Sequence, residues 1–320
     1  MAVVSVLLIV VVIALLAVTL MARQTTTIRA AQTEQNRVKA HWLLHGELSR
    51  VQALLRTEAQ RTPLTQRDGA WARPVAGIVV GEIAGEPARA FIEVTDEQSK
   101  FNLRNLVDAG QIDLRELEVF QRLCALLGVP DEQASRIARR VVLSSLEADR
   151  ETTAPPSPDP EQAKAALAAA QQLGLAPLGH RDQAPRLRDV FNLLAVPGID
   201  AASVARLSPH ITILPQRTWI NANTAGPEVL AAWVPGLSVG RAQTLLEARD
   251  HGQWFINRGD FTNRLQMPEI EEADILIGIT SQWFRMSGAL RTPHTTLLLQ
   301  GLLHDDKKSL PQVVWLREGA

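Results

Sequence analysis

The strongest constraint on the fold of this chain is its N-terminal stretch, MAVVSVLLIVVVIALLAVTL, in which Ser5 and Thr19 are the only polar residues. A helix of this length, at about 1.5 Å per residue, extends about 30 Å, which matches the hydrocarbon core of a bilayer. A secretory signal peptide would have a shorter apolar run behind a basic segment, whereas no basic residue precedes the run here. We therefore predict a transmembrane segment over residues 1–22.

The charges beside this segment leave two interpretations of the N-terminus. Arg23, Arg29 and Arg37 follow the apolar run, and the positive-inside rule would then place the bulk of the protein in the cytoplasm. Alternatively, a basic leader has been removed and Met1 is a processed end. The continuation of the helix favours the second interpretation.

Helical character extends well beyond the apolar segment. From Gln24 to about Thr62 the sequence has no proline and a single glycine, Gly46. Apolar residues recur there at three-to-four spacing with polar residues between them: Ile28, Val38, Leu43, Leu44, Leu48, Val51, Leu54 and Leu55. This pattern predicts one helix of about 60 residues, apolar over 1–22 and amphipathic over 23–62, as in a fibre subunit. An anchor followed by a separate stalk helix is the alternative.

Two groups of strand-like segments lie far apart in the sequence. AGIVVGEIAG and ARAFIEVTD predict a hairpin within residues 63–102, and three further antiparallel strands follow only within residues 278–320. Neither group is large enough to form a stable sheet alone, so we predict that they pair in one sheet against the amphipathic helix. The predicted fold class is α+β: a long N-terminal helix packed on an antiparallel sheet, with a large all-α domain inserted in the sheet over residues 103–277.

The predicted insert contains two units that resemble DNA-binding helix-hairpin-helix elements. In such an element a Gly-apolar-Gly loop lets backbone N–H groups approach a phosphate. Here the loops read Gly236–Leu237–Ser238 and Gly198–Ile199–Asp200, and near the former only Arg241 and Arg249 are available, opposed by two carboxylates. We interpret the hairpins as packing units. The alternative is a membrane-tethered helix-hairpin-helix DNA-binding protein of the competence type.

Composition gives no basis for nucleic-acid binding or for catalysis. The chain has 33 Lys and Arg against 34 Asp and Glu, a net charge of −1, so no basic surface is expected to attract a polyanion. Cys124, the single cysteine, lies on an apolar helical face and is predicted to be a core residue. No Cys/His spacing predicts zinc, and no histidine lies in a nucleophile or HExxH setting, so we predict that the protein is not an enzyme. The histidines are His41, His45, His180, His210, His251, His294 and His304.

Taken together, these features resemble the general secretion pathway protein K family of type II secretion minor pseudopilins. The resemblance spans nearly the whole chain and is carried by the apolar start and by five motifs: WARP (Trp71 to Pro74), DEQSKFNLRNLV (Asp96 to Val107), INANTAGPEVLAA (Ile220 to Ala232), ARDHGQWF, and DF at Asp260–Phe261. It implies a pilin-like fold with a single inner-membrane anchor and a periplasmic C-terminal domain. The implied function is to cap the tip of the pseudopilus and help initiate its assembly for protein export across the outer membrane.

The resemblance also implies partners and N-terminal chemistry. The expected partners are minor pseudopilins of the I and J types, the major pseudopilin, the inner-membrane assembly platform, the prepilin peptidase, and the secreted substrate or the outer-membrane secretin, with no nucleic acid. Met1 would be the residue that is processed and methylated. Ser5 stands where ordinary pilins carry a glutamate that pairs with a neighbouring subunit's N-terminal amine. A tip subunit has no neighbour beyond it, so the loss of that carboxylate fits the tip.

Calcium is the one cofactor that the resemblance suggests. Relatives often carry an Asp-x-Asp run after the second helix of the insert, which supplies the hard oxygen ligands that calcium prefers. At the matching place this chain has Glu147 and Asp149, which are the candidate ligands. Because the surrounding acidic content is low, solvated surface charge is the alternative.

Overall fold

The computed structural model describes residues 2–150, 160–173, 185–270 and 276–319. Its first element is a single α-helix, α1, which spans Ala2–Arg61, so the prediction of one helix of about 60 residues is confirmed. Within the described residues, no helix combines the length and the apolar character needed to cross a membrane. The transmembrane segment over residues 1–22 stays a prediction, as do the boundaries of the other predicted ranges.

The remaining elements are numbered in chain order. The strands are β1 (Val75–Ile83), β2 (Glu86–Asp96), β3 (Phe101–Asn102), β4 (Val107–Asp108), β5 (Gln111–Ile112), β6 (Ile211–Thr212), β7 (Ile220–Asn221), β8 (Ile277–Gly278), β9 (Trp283–Arg291), β10 (Thr296–His304) and β11 (Gln312–Gly319). The helices after α1 are α2 (Leu114–Leu126), α3 (Asp131–Arg150), α4 (Pro160–Gln172), α5 (Ala201–Leu207), α6 (Pro227–Trp233), α7 (Val239–Asp250) and α8 (Arg258–Leu265).

The long strands form one antiparallel sheet in the order β1-β2-β9-β10-β11. Strand β2 ends at Asp96, which pairs with Phe284 near the start of β9, and the pairing runs back to Arg89 opposite Arg291. The chain therefore leaves the sheet at Asp96 and returns directly beside it. The predicted fold class, a long helix on an antiparallel sheet with an inserted helical domain, is confirmed.

Helix α1 packs on one face of this sheet through every third or fourth residue. Its buried apolar side chains pack with those of β2, β9 and β10, because this removes the apolar stripe of the helix from water. The WARP motif contributes Trp71, whose ring meets Phe284 edge-on at a centroid distance of 5.2 Å. The buried helix residues are Ala40, Leu44, Leu48, Val51 and Leu55.

The insert has a hydrophobic core of its own, which runs from Phe101 to Ile277 and includes the fully buried Cys124. The sequence pattern suggested that the insert is helical throughout, but the structure also contains short strands there. Within it, two-residue strands pair in parallel, β3 with β6 and β7 with β8. The segment Val190–Ala195 is a 3-10 helix, and Pro197, two residues on, disfavours its continuation. The segment ETTAPPSPD over residues 151–159, which we predict to be a proline-rich loop, falls outside the described residues.

Candidate functional site

The N-terminal part of α1 extends beyond the sheet. Ala40 is the first buried residue of the helix, and the described side chains before it are exposed apart from the half-buried Asn36. At about 1.5 Å per residue, the stretch before Ala40 extends roughly 57 Å. Its exposed large apolar side chains are Leu7, Leu8, Val10, Val11, Ile13, Leu15, Leu16, Val18, Leu20, Met21, Ile28 and Val38. The described part of the chain does not cover these side chains.

Alongside the sheet, α1 presents a second exposed face, which we call the outer face: Val38, Trp42, Gly46, Ser49 and Ala53. Its members recur at three- and four-residue steps, so they line up on the side of the helix away from the sheet. The Trp42 side chain is 68% exposed, whereas the next three members are small. A β-carbon built on Gly46 would meet nothing within 4 Å. An exposed tryptophan beside a strip of small residues offers a neighbouring helix both an anchor and close approach.

The insert is attached at the end of the sheet where α1 ends, which is opposite to the end from which the N-terminal part of α1 protrudes. Just beyond the helix, the Thr65 N–H donates to the carbonyl of Ile279 at 3.1 Å. The Ser281 N–H donates to the Thr65 hydroxyl at 2.9 Å. The protruding helix and the bulky insert therefore occupy opposite ends of the sheet.

A buried carboxylate, Asp96, forms the centre of the junction between the sheet and the insert. Its side chain accepts hydrogen bonds from the Gln98 N–H at 2.8 Å, the Ser281 hydroxyl at 2.6 Å and the Thr224 hydroxyl at 2.5 Å. Burial raises the pKa of Asp96, although these hydrogen bonds act against that effect. Asp96 therefore joins the end of β2 to Thr224 and Ser281, which lie far along the chain.

Asn221, from the INANTA motif, connects the same point to the end of α1. Its side-chain amide nitrogen lies 3.0 Å from the Thr65 carbonyl oxygen, 2.8 Å from the Ser281 hydroxyl and 3.3 Å from an Asp96 carboxylate oxygen. The amide oxygen accepts from the Asn223 N–H at 2.9 Å. Two of the motifs that carry the resemblance, DEQSK and INANTA, thus meet in one hydrogen-bonded cluster.

A second buried carboxylate, Glu97, ties the insert to the other face of the sheet. It accepts from Lys100 at 2.7 Å and from Arg285 at 3.2 Å, and the Thr212 hydroxyl also donates to it. Burial alone would raise the pKa of Glu97, but the positive charges of Lys100 and Arg285 lower it overall. Arg285 also donates to Asp189 of the insert at 3.0 Å. The junction between the sheet and the insert therefore has a buried carboxylate on each face of the sheet, Asp96 on one and Glu97 on the other.

Arg241 and Arg249, the two arginines near the hairpin loop that could contact DNA, form hydrogen bonds within the protein. Arg249 is fully buried and donates to the carbonyls of Ala222 and Ala225 at 2.9 and 2.7 Å. Arg241 donates to the Leu265 carbonyl at 2.9 Å. Arg249 therefore holds the INANTA loop against α7 and cannot reach a phosphate. Sequence reasoning missed this role, because a charged residue near a loop is ordinarily solvated.

The predicted site residues fall outside the described side chains. Met1 is outside the described residues, and the side chains of Ser5, Glu147 and Asp149 are also outside them. N-terminal processing, methylation and calcium binding therefore stay predictions. Among the described side chains, one group has metal-ligating types close together: His41, His45 and Glu318.

Comparison with known proteins decides the family. Two family models match the chain, both for type II secretion system protein K: a first domain over residues 99–216 and a second over residues 220–280. Together they span more than half of the chain. The chain belongs to the type II secretion system protein K family. It is therefore a component of a secretion machine, and the DNA-binding alternative is not favoured.

Named relatives agree with this assignment. Type II secretion system protein K of Pseudomonas aeruginosa is 28% identical over 292 residues, which cover 89% of this chain and 82% of the relative. The protein of the same name from Pectobacterium carotovorum is 24% identical and covers 95% of this chain and 91% of the relative.

A solved structure has the same fold. It is the crystal structure of the GspK-GspI-GspJ complex from enterotoxigenic Escherichia coli, and one of its chains matches with a TM-score of 0.61 at 19% identity. The match covers 91% of this chain and 99% of that chain.

Proposed function

We propose that this chain is the minor pseudopilin that caps the tip of the type II secretion pseudopilus and helps to initiate its assembly. The observation that carries the proposal is the uncovered N-terminal part of α1, which leaves the sheet before Ala40 with its apolar residues exposed. A helix with an apolar face and no partner in its own fold is built to pack against other helices. In this proposal the protein acts by assembly and not as an enzyme.

The spacing of the exposed residues supports helix-to-helix packing. Along the protruding part, one line of exposed positions follows alternating steps of three and four, which is the repeat of a coiled-coil seam: Ile28, Ala31, Gln35, Val38 and Trp42. The seam continues into the outer face beside the sheet. We propose that minor pseudopilins of the I and J types occupy it, since a structure of similar fold comes from a GspK-GspI-GspJ complex.

The position of the insert supports the tip. Subunits of a helical fibre stack along their N-terminal helices, and the insert lies at the end of the sheet opposite to the protruding helix. A bulky domain there would obstruct any subunit stacked above it. We propose that the apolar segment over residues 1–22 anchors the chain in the inner membrane, with the C-terminal domain in the periplasm. The major pseudopilin, the assembly platform, the prepilin peptidase and the secretin or substrate are proposed as later contacts.

The test compares two exposed tryptophans. Trp42 is on the outer face and Trp219 is on the insert, 68% and 47% exposed. Trp42→Ala should reduce co-purification with the I and J minor pseudopilins and reduce secretion in a complemented deletion strain, whereas Trp219→Ala should leave both unchanged. The proposal fails if the protein stays monomeric with both partners and secretion survives its deletion. It also fails if the two variants behave alike.

A further inference from the structure

We propose that His41, His45 and Glu318 form a binding site for a divalent transition-metal ion of the zinc type. The site is independent of the calcium position suggested by the family resemblance and of the proposed role in assembly. Each residue offers one ligand atom, and the three atoms lie within 4.8 Å of one another.

The two histidines are placed by the helix. His41 and His45 are one turn apart on α1, and residues at this spacing lie on the same helix face. Their rings are close, with centroids 4.1 Å apart. They flank the sheet-facing Leu44, so their side chains reach sideways toward the edge of the sheet and not into the core.

The carboxylate is placed by the strand register. Glu318 on β11 pairs with Leu299 on β10, which in turn pairs with Gly288 on β9. Residues directly opposite one another share a face, and Leu299 is fully buried under α1. Glu318 must therefore point toward the helix. Because β11 is the edge strand, this carboxylate emerges beside the helix, at the level of the two imidazoles.

The distances suit a shared ion. A Glu318 carboxylate oxygen lies 2.7 Å from His41 Nδ1 and 3.3 Å from His45 Nε2. Two ligands at about 2.0–2.1 Å from one tetrahedral zinc lie roughly 3.3 Å apart. The His45 distance already matches this spacing, whereas the His41 distance would have to lengthen by about 0.6 Å, which rotation of the partly exposed side chains permits. The side chains are 39%, 31% and 34% exposed, which leaves a path for entry and room for water as a fourth ligand.

The donor set selects the kind of metal. Two imidazole nitrogens and one carboxylate oxygen suit zinc, copper or nickel, whereas calcium and magnesium take oxygen ligands. The neighbouring Arg317 does not oppose the ion, because it lies on the other face of β11, with a guanidinium nitrogen 3.6 Å from Asp189. A bound ion would fasten the last strand to α1 just where the helix emerges from the sheet.

The experiment is a zinc titration of the untagged full-length protein by calorimetry, repeated with cobalt(II) to record the visible bands of its coordination. We expect saturable binding of one ion per chain, at least tenfold weaker affinity in His45→Ala and in Glu318→Gln, and loss of the cobalt bands in the double variant His41→Ala/His45→Ala. His294 is exposed in the turn before β10, so His294→Ala is the matched control and should bind as the unchanged protein does. The proposal is overturned if one-to-one binding is absent, or if it persists unchanged in the double variant.

Discussion

The replacement Asn221→Ala should destabilise the protein far more than its short side chain suggests. Asn221 is fully buried, and its NH₂ group has two protons to share among Thr65, Ser281 and Asp96. Its oxygen also accepts the Asn223 N–H. Truncation removes about three hydrogen bonds, at about 1 kcal/mol each, and leaves a buried N–H group unpaired, at about 1–3 kcal/mol. We expect the free energy of unfolding to fall by about 4–6 kcal/mol.

The measurement is urea unfolding at neutral pH, followed by circular dichroism and, in parallel, by limited proteolysis of the junction. Asn263 is exposed on α8, so Asn263→Ala is the matched control, with an expected change within about 0.5 kcal/mol. The variant Asn221→Asp keeps the shape but places a second carboxylate beside Asp96, so its loss of stability should grow as the pH rises. A loss below about 1 kcal/mol in Asn221→Ala would refute the view that this cluster holds the insert to the sheet.

Three further predictions follow from single groups. Burial raises the pKa of Glu116 to about 8, so the folded state holds a proton that the unfolded state has released. Glu116 should then make stability fall between about pH 4.5 and 8 by up to about 1.4 kcal/mol per pH unit, and Glu116→Gln should remove this contribution from the slope of the urea midpoints. Leu44→Ala should lower the free energy of unfolding by about 2–5 kcal/mol, whereas Trp42→Ala should change it by less than about 0.5 kcal/mol; equal losses would contradict the assignment of helix faces. If Glu147 and Asp149 bind calcium, the ion should raise the Tm, and identical melts in calcium and in chelator would remove that site.

The long-range architecture could be predicted because its signals are repeated many times along the chain. Helix α1 follows from the absence of proline and from the stripe that includes Leu44, Leu48 and Val51. The interrupted sheet follows from a weaker argument, that two small groups of strands need each other. Both patterns extend over whole segments, so an error at a single position does not alter the predicted fold.

The polar junction could not be predicted, because burial of a charged or amide group is decided by contacts far along the chain. Asp96, Asn221 and Arg249 read as solvated residues in sequence, yet each is buried. Their partners come from other elements, as with the 125 positions between Asp96 and Asn221. A pattern with a period of two or four residues carries no information about such pairs.

The histidine pair illustrates a signal that was present but incomplete. His41 and His45 have one-turn spacing on a helical sequence pattern, which is a recognisable metal-ligand arrangement. Their carboxylate partner, Glu318, lies 273 positions from His45. Only the strand order and the register place it there. The statement that no Cys/His spacing predicts zinc stays a prediction, which the zinc titration tests.

The site of insertion explains how one fold can carry both a fibre-forming helix and a bulky domain. The chain leaves at Asp96 and returns at Trp283, and β2 and β9 are hydrogen-bonded neighbours. Because the two ends of the insert lie side by side, the insert can be large without altering the sheet or the face of α1 that packs on it. The polar groups at Asp96 and Glu97 then orient the insert where apolar packing alone would permit sliding. The outer face of α1 lies at a distance from this junction, is exposed in the described part of the chain, and is the surface that we propose binds other helices.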